Sequence, residues 1–111
     1  MITITSRTRK PIEAKGAYYD GHIVGEPDEN MRVKRHTCPV WFPALSREVD
    51  KPPTSLHMTE TAVHKDTLYV GLIGGQREIP PNSWIIHRAH GVMEILTPED
   101  FNNSYRVEVC E

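Results

Sequence analysis

The chain has 111 residues, a length that suits one domain, and 25% of them are charged. Its formal net charge of -2 at pH 7 gives no general attraction to nucleic acid or to anionic membranes. Two cysteines do not make a disulfide framework, and no apolar run approaches the ~20 residues that a membrane helix requires. These features exclude proteins that span a membrane with helices and small proteins that are stabilised by disulfides. They predict one domain over residues 1–111, in a reducing cytoplasm.

The first part of the chain predicts β-structure. Ile2 and Ile4 alternate with threonines, which is the period-2 pattern of a half-buried strand. Residues 11–18 continue that alternation after a basic segment. Asp20-Gly21 then predicts a turn, because glycine adopts positive φ without a steric penalty.

Residues 25–55 differ from the rest of the chain because prolines interrupt them repeatedly. The prolines are Pro27, Pro39, Pro43, Pro52 and Pro53. No long helix can form across them. We expect a long proline-rich excursion of irregular structure, with one or two short strands around residues 31–33 and 38–42.

The segment from residue 56 to residue 79 predicts strands again. Residues 56–64 alternate, but neither face of that strand is cleanly apolar. Residues 67–73 are rich in β-branched and aromatic side chains and predict a clear strand. Gly74-Gly75 suits a two-residue hairpin turn that returns the chain through residues 77–79.

The last part of the chain predicts two strands, a helix and a final strand. Residues 84–87 and 92–96 form the strands, joined across Gly91. Residues 106–109 alternate again and predict the last strand.

A short helix is expected at residues 98–103. Thr97 is a suitable helix cap, and Pro98 suits the first helical position. The helix must be short because Asn102, Asn103 and Ser104 are poor helix formers.

These patterns together predict an α+β fold, formed mostly by antiparallel β-sheet with one short C-terminal helix and the proline-rich excursion. The expected core consists of Ile4, Ile12, Leu68, Val70, Leu72, Ile79, Trp84, Ile86, Val92, Ile95 and Phe101.

Motifs near both ends of the chain are also informative. They are Arg9-Lys10-Pro11-Ile12-Glu13-Ala14, Pro81-Asn82-Ser83-Trp84-Ile85-Ile86, Thr97-Pro98-Glu99-Asp100-Phe101 and Tyr105. They resemble a family of small tailed-phage proteins that open with Lys-Pro and end with Pro-Gly-Asp-Trp-Ile-Ile and Pro-Asp-Xaa-Phe elements. Asn82-Ser83 replaces the Gly-Asp of that family, and the excursion has no equivalent in it. The resemblance implies a phage origin and a compact β-rich fold, and it supplies no catalytic residues.

Histidines and a cysteine raise the question of catalysis or metal binding. The chain has six histidines but lacks paired Cys-x-x-Cys or His-x-x-x-His spacing, so we expect no metal and no cofactor. Arg35 and His36 precede Cys38, and their positive charge would favour its thiolate. Glu60 would point away from His57 on a strand. The chain is therefore predicted not to be an enzyme, and a cysteine or metal enzyme at Cys38, His36 and His57 is the weakest reading.

The segment Val40-Trp41-Phe42 is the first part of a candidate partner-binding site. Pro39 and Pro43 flank it and make it a stiff apolar knuckle. Aromatic residues at interface centres supply a disproportionate share of binding energy. The competing interpretation places Val40 and Phe42 in the core and Trp41 at its rim, and both can hold at once.

Three cations, Arg32, Lys34 and Arg35, form the second part of that candidate site. On an extended segment Arg32, Lys34 and His36 would share a face that could contact phosphates or an acidic partner. The acidic residues at 26–29 and the overall charge argue against nucleic acid. A solvated strand edge protected by charge is the competing interpretation.

The leading functional hypothesis is a non-enzymatic phage accessory protein. It would bind a host protein in the cytoplasm of the infected bacterium and inhibit or redirect it, in host takeover or counter-defence. The alternative is a module that binds or sequesters a nucleotide-like ligand through the same cations and aromatics, across the seam of a homodimer.

Overall fold

A computed structural model describes residues 3–7, 13–43, 47–57, 60–72, 75–87 and 93–108 of the chain. These residues form β1 (Thr3–Ser6), β2 (Glu13–Tyr19), β3 (Val24–Gly25), β4 (Arg47–Glu48), β5 (Thr61–His64), β6 (Thr67–Leu72), β7 (Gly75–Ile79), β8 (Ser83–His87), β9 (Met93–Leu96), α1 (Pro98–Ser104) and β10 (Tyr105–Glu108). The architecture is mostly antiparallel β-sheet with one short helix near the C-terminus, as the sequence predicts.

The larger sheet has six strands in the order β10-β1-β2-β8-β9, with β3 also paired to β2. Every pairing in it is antiparallel. The long strand β2 is shared by three neighbours: Lys15 lies opposite His87, and Tyr19 lies opposite both Ser83 and Val24. The first and last of the described strands, β1 and β10, lie side by side.

The smaller sheet has four strands in the order β4-β5-β6-β7. Its centre is the β5-β6-β7 meander, and β4 joins the meander in parallel through Arg47 and Glu48. Leu72 pairs with Gly75, so Gly75 is the first residue of β7. The predicted Gly74-Gly75 turn is wrong at Gly75, and Gly74 lies outside the described residues.

The two sheets pack through strand β8, which is buried on both faces. One core cluster contains Ile4, Tyr18, Val33, Trp84, Ile86, Phe101 and Tyr105. The other contains Tyr19, Phe42, Leu68, Val70, Ile79, Ile85 and Met93. The larger sheet therefore separates two apolar layers, one covered by α1 and the other covered by the smaller sheet.

Most of the predicted core is confirmed among the described residues. The buried members are Ile4, Leu68, Val70, Ile79, Trp84, Ile86 and Phe101. Leu72 and Ile95 are partly buried against the second cluster. Ile12 and Val92 lie outside the described residues.

Three strand predictions differ from the structure. Within the predicted strand at 56–64, Thr61–His64 form a strand, residues 56, 57 and 60 do not, and residues 58–59 lie outside the described residues. The predicted strand at 31–33 is reduced to an isolated bridge between Pro27 and Val33. The predicted strand at 38–42 is a turn, in which the Phe42 amide donates to the Pro39 carbonyl at 3.1 Å. In the last two of these regions a positive φ at Met31 and the proline at position 39 interrupt the alternation that a strand needs.

Helix α1 begins as its sequence predicts. The Thr97 hydroxyl accepts a hydrogen bond from the Asp100 amide at 3.1 Å, and Pro98 occupies the first turn. Phe101 is the buried residue of the helix, and its ring stacks on Trp84 with centroids 3.9 Å apart and planes 8° apart.

The end of α1 is held by Arg7, from the strand β1 side of the fold. The Arg7 Nε donates to the Asn102 carbonyl at 2.8 Å and to the Tyr105 carbonyl at 2.9 Å. The Arg7 amide also donates to the Ser104 carbonyl at 2.8 Å. A cation at a helix C-terminus satisfies carbonyls that lack intrahelical partners.

Asp20 connects the turn after β2 to the segment around Val33. Its Oδ1 accepts from the His22 and Ile23 amides, and its Oδ2 accepts from the Val33 amide at 3.0 Å. Burial raises the pKa of Asp20, but hydrogen bonds from Ile23, Val33 and His22 and the nearby His22 imidazole together lower it below the ordinary 3.8. The carboxylate therefore holds Val33 in the first core cluster.

We expect Asp20→Asn to lower the free energy of unfolding by about 1–2 kcal/mol at neutral pH, because the new NH2 group cannot accept from Val33. A lowered pKa in the folded state stabilises the fold above the ordinary value, and this contribution is lost as pH falls through the folded pKa. Urea denaturation at neutral and acidic pH should therefore show the variant and the wild type converging in acid. The exposed Asp50→Asn is the control, and a deficit that persists unchanged in acid would contradict the assignment.

Candidate functional site

The candidate site is the segment of residues 36–42, here called the ridge. His36 adopts a left-handed conformation with φ 62°, and the turn from Pro39 to Phe42 follows. Val40 stands at the top of this turn with a relative exposure of 101%. The expectation that Val40 faces the core is therefore wrong, because a turn and not a strand orients its side chain.

The two aromatic residues anchor the ridge. Phe42 is buried in the second core cluster, and Trp41 packs partly against that cluster. The Trp41 ring lies 4.9 Å from the His87 ring and 6.2 Å from the Phe42 ring, measured between centroids. Phe42 therefore stabilises the fold. Val40 and the exposed part of Trp41 are the side chains of this turn that remain for direct contact with a partner.

The Trp41 indole carries an unusual feature. Its Nε1 is buried and has no hydrogen-bond partner among the described residues. An unpaired buried donor costs about 1–3 kcal/mol. Apolar contacts therefore hold the Trp41 ring in place, and the unpaired Nε1 lowers the stability of the fold.

The predicted cations lie on the loop that leads into the ridge. Arg32, Lys34 and Arg35 are all exposed. The segment does not stay extended beyond Lys34, because a turn follows at Arg35 and His36 and His36 has a φ of 62°. The predicted common face of Arg32, Lys34 and His36 depended on an extended segment and is wrong at His36.

Thr37 fixes where this loop meets the ridge. Its hydroxyl donates to the Lys34 carbonyl at 2.7 Å and accepts from the Glu26 amide at 2.8 Å. An added Cβ at Gly25 would lie 2.8 Å from the Val33 side chain, so the loop closes tightly over β3. The cationic loop and the ridge thus form one braced unit.

Two clefts flank the ridge and share His36 and Cys38. The first, of about 220 Å³, is lined by Tyr19, His22, Ile23, Val24, His36, Cys38, Phe42, Pro43 and Leu68. The second, of about 350 Å³, is lined by Gly16, Gly25, Glu26, His36, Thr37, Cys38, Pro39 and Val40. The first cleft brings Tyr19, His22 and Ile23 to the site, although sequence reasoning had not assigned them to it. The Asp20-Gly21 turn is the sequence feature that could have placed them there, because it folds His22 and Ile23 back beside β2.

Cys38 lies between the clefts without an activated environment. Burial raises the pKa of its thiol. Its Sγ lies 3.8 Å from the Pro39 carbonyl oxygen. The direction of the shift is opposite to the one predicted from the neighbouring Arg35 and His36, and the thiol form is favoured. His57 lines neither cleft, so the structure does not bring the predicted pair together.

No group of three or more His, Cys, Asp or Glu residues suited to a metal ion occurs in the part of the chain that the structure describes. Among the same residues, no helix has the length and apolar character needed to cross a membrane.

Tyr19 forms the inner wall of the first cleft, and its hydroxyl donates to the Asp66 carbonyl at 2.8 Å. Burial, and then the negative charges of Asp66 and Asp20, raise the pKa of Tyr19 to about 12. A pKa raised in the folded state stabilises the protein below the ordinary value of 10.0, and this contribution is lost as pH rises towards 12.

We expect an absorbance titration to show one of the four tyrosines ionising last, near pH 12. Tyr19→Phe should remove that final step and, by loss of the hydrogen bond to Asp66, cost about 1 kcal/mol of stability at neutral pH. If the final step survives in the variant, the assignment to Tyr19 is wrong.

The chain matches no protein-family model, no curated protein and no solved structure.

Proposed function

We propose that this protein is a small phage-encoded accessory protein that binds a host protein and inhibits or redirects it in the cytoplasm of the infected bacterium, without catalysing a reaction. The phage origin is supported by the motifs near both ends of the chain. The binding mode is supported by the geometry of the ridge. The observation that carries the proposal is Val40, an aliphatic side chain that is fully exposed on a braced turn.

The ridge is suited to binding because it is already ordered. Phe42 is 4% exposed, and Trp41 packs beside it, so the turn that carries Val40 has few conformations to lose when a partner binds. Pre-organised surfaces gain affinity in this way. An exposed valine on an anchored turn suits a shallow apolar pocket on another protein.

The neighbouring cations indicate the charge of that partner. Arg32, Lys34 and Arg35 are exposed on the loop that Thr37 braces against the ridge. Positive side chains around an apolar contact steer a partner with an acidic rim and raise the association rate. The proposed target therefore presents a small apolar pocket bordered by carboxylates.

The test is capture from bacterial lysate with the tagged wild-type chain and two serine variants. Val40→Ser should reduce recovery of the specific partner at least tenfold, with stability unchanged within about 0.5 kcal/mol because the residue is on the surface. Glu78→Ser is the control, since Glu78 is also an exposed residue but lies on β7 and lines neither cleft of the ridge. Equal recovery by both variants would overturn the assignment of the ridge.

A second candidate function is binding of a nucleotide-like ligand, and the first cleft favours it. Two imidazoles, from His22 and His36, and the apolar side chains of Ile23 and Phe42 line that cleft. A ligand that binds only the folded chain raises its melting temperature. A thermal-shift panel of nucleotides separates the two candidate functions. A rise in melting temperature that is lost in His36→Ala supports nucleotide binding. No rise with any nucleotide counts against the cleft and leaves host-protein binding by the ridge as the proposed function.

A further inference from the structure

One outer edge of the larger sheet is formed by β10. Among the described residues this strand pairs with β1 alone, so its other side has no strand beside it. Val107 lies on β10 opposite the fully buried Ile4, yet its own side chain is 42% exposed. No residue of β10 lines either cleft of the ridge.

The hydrogen bonds between β1 and β10 show which backbone groups point outward. At one end of this pairing the Arg7 amide donates to the Ser104 carbonyl. The register places Ile4 opposite Val107, three steps further along. Bonded and non-bonded pairs alternate along an antiparallel ladder, so three steps lead from a bonded pair to a non-bonded one. The amide and carbonyl of Val107 therefore point away from β1, towards the open edge.

The outward groups of Tyr105, two residues earlier, are already bonded within the chain. Its amide donates to the Phe101 carbonyl at the end of α1, and its carbonyl accepts from the Arg7 Nε at 2.9 Å. No described residue outside the larger sheet bonds to the backbone of Val107. Val107 is therefore the position of β10 at which a further strand can be added.

The charges on either side of Val107 make this edge complementary to itself. Arg106 precedes Val107, and Glu108 follows it. When two identical strands pair antiparallel with Val107 at the centre, Arg106 of each copy falls opposite Glu108 of the other. A pair centred on residue 106 or 108 would instead place like charges opposite each other. Facing opposite charges stabilise a strand pair and facing like charges destabilise it, so the charges select one register.

Strand β7, at an outer edge of the smaller sheet, lacks this property. Centring a self-pair on Arg77 places two arginines opposite each other, and centring it on Glu78 places two glutamates opposite each other. Charges on an edge strand protect it against pairing with another chain. Self-complementarity therefore distinguishes β10 from β7.

We propose that β10 pairs with β10 of a second copy of this chain around a two-fold axis at Val107, so that the larger sheet continues from one protomer into the other. The two Val107 residues exchange both backbone hydrogen bonds and cover each other's side chains. Such an interface is isologous, because the same surface serves on both copies. This contact goes beyond the proposed function, since it lies away from the ridge and joins two copies of the chain.

The expected dimer is weak. A strand of four residues buries much less than the ~1,600 Å² of a standard interface. We expect a dissociation constant on the order of 100 µM. Sedimentation equilibrium of the full chain from about 10 µM to about 1 mM covers this range. The buffer contains a reductant, since the chain has two cysteines, and about 50 mM salt, so that screening stays low.

Charge reversal is the first test of the interface. Arg106→Glu and Glu108→Lys should each raise the dissociation constant about tenfold, because each turns both opposite-charge pairs of the dimer into like-charge pairs. The double variant restores opposite charges and should return the constant to within about threefold of the wild type. A role of Arg106 within its own protomer would not be rescued in this way. Glu78→Lys, an exposed reversal on β7, is the control and should leave the constant unchanged.

Val107→Pro is the second test, because it removes the outward amide hydrogen and none that is donated to β1. Proline is tolerated on an edge strand for this reason, so the protomer should keep its circular dichroism while the dimer is lost. A wild-type chain that stays monomeric up to about 1 mM would overturn the proposal. So would association that both single charge reversals leave unchanged. Capture of a host protein by the ridge is measured separately through Val40→Ser, so failure here leaves the proposed function standing.

Discussion

Replacing Gly71 by alanine is expected to lower the free energy of unfolding by about 3 kcal/mol or more, because it overpacks a buried site. Gly71 lies inside β6, the central strand of the smaller sheet. An added Cβ would lie 2.7 Å from the His57 carbonyl carbon and closer still to its oxygen. These are backbone atoms, which cannot rotate away as a flexible side chain can.

The segment that crosses Gly71 is tied down at several points, so it cannot move aside cheaply. The Gly71 amide donates to the Glu60 carbonyl at 2.9 Å. The Gln76 side chain accepts from the Leu56 amide at 3.2 Å, and it donates to the Pro53 carbonyl. Displacing the chain would break these bonds, each worth about 1 kcal/mol.

Gly16→Ala is the matched control for Gly71→Ala. Gly16 is also a buried glycine in a strand, but its added Cβ would lie 3.3 Å from the flexible end of Ile4. The side chain can give way, so we expect a change within about 1 kcal/mol. Both variants are compared by urea denaturation followed by circular dichroism. Equal losses would show that the close approach of the 56–57 segment is not what constrains Gly71.

Phe101→Ala is expected to cost about 3–5 kcal/mol, the usual range when a buried phenylalanine is truncated. The ring stacks on Trp84 and lies 5.8 Å from the Tyr105 ring between centroids. Trp84 in turn meets Tyr18 edge-on at 5.3 Å. Loss of Phe101 therefore leaves a cavity in an aromatic row and detaches α1 from its core.

Near-UV circular dichroism should lose the signal of the Trp84 stack in this variant, and urea denaturation measures the stability. Phe101→Leu should recover part of the loss, since it refills much of the cavity without restoring the stack. Glu99→Ala, an exposed change on the same helix, should stay within about 0.5 kcal/mol. If Glu99→Ala costs as much as Phe101→Ala, the helix itself, and not its packing, is the source of stability.

The elements with strong local signals were predictable from the sequence. The strand at 67–72 has β-branched and aromatic content, and the α1 start has Thr97 and Pro98 in capping positions. These preferences act between residues close in the chain and need no distant partner. Prolines also mark the region of the cationic loop and the ridge in the sequence, and the role of this region in binding stays a prediction.

Burial on both faces was not predictable in the same way. Tyr18 and Tyr19 are adjacent and 2% and 1% exposed, as only a strand covered on both sides allows. Alternation along one strand shows that two faces differ, but not what covers the second face. The burial of Phe42 and the exposure of Val40 were not predictable for a related reason. The orientation of their turn depends on Phe42 packing into the second core cluster, whose other residues are distant in the chain.

The sequence by itself therefore determined the β-rich class, the hairpin of β6 and β7, the C-terminal helix and the absence of paired spacing for metal ligands. Only the tertiary structure decided the parallel addition of β4, the two-sided burial of β8 and the exposure of Val40. The physical reason is range: backbone preferences are set by neighbouring residues, whereas burial and exposure are set by segments distant in the chain that happen to pack against them.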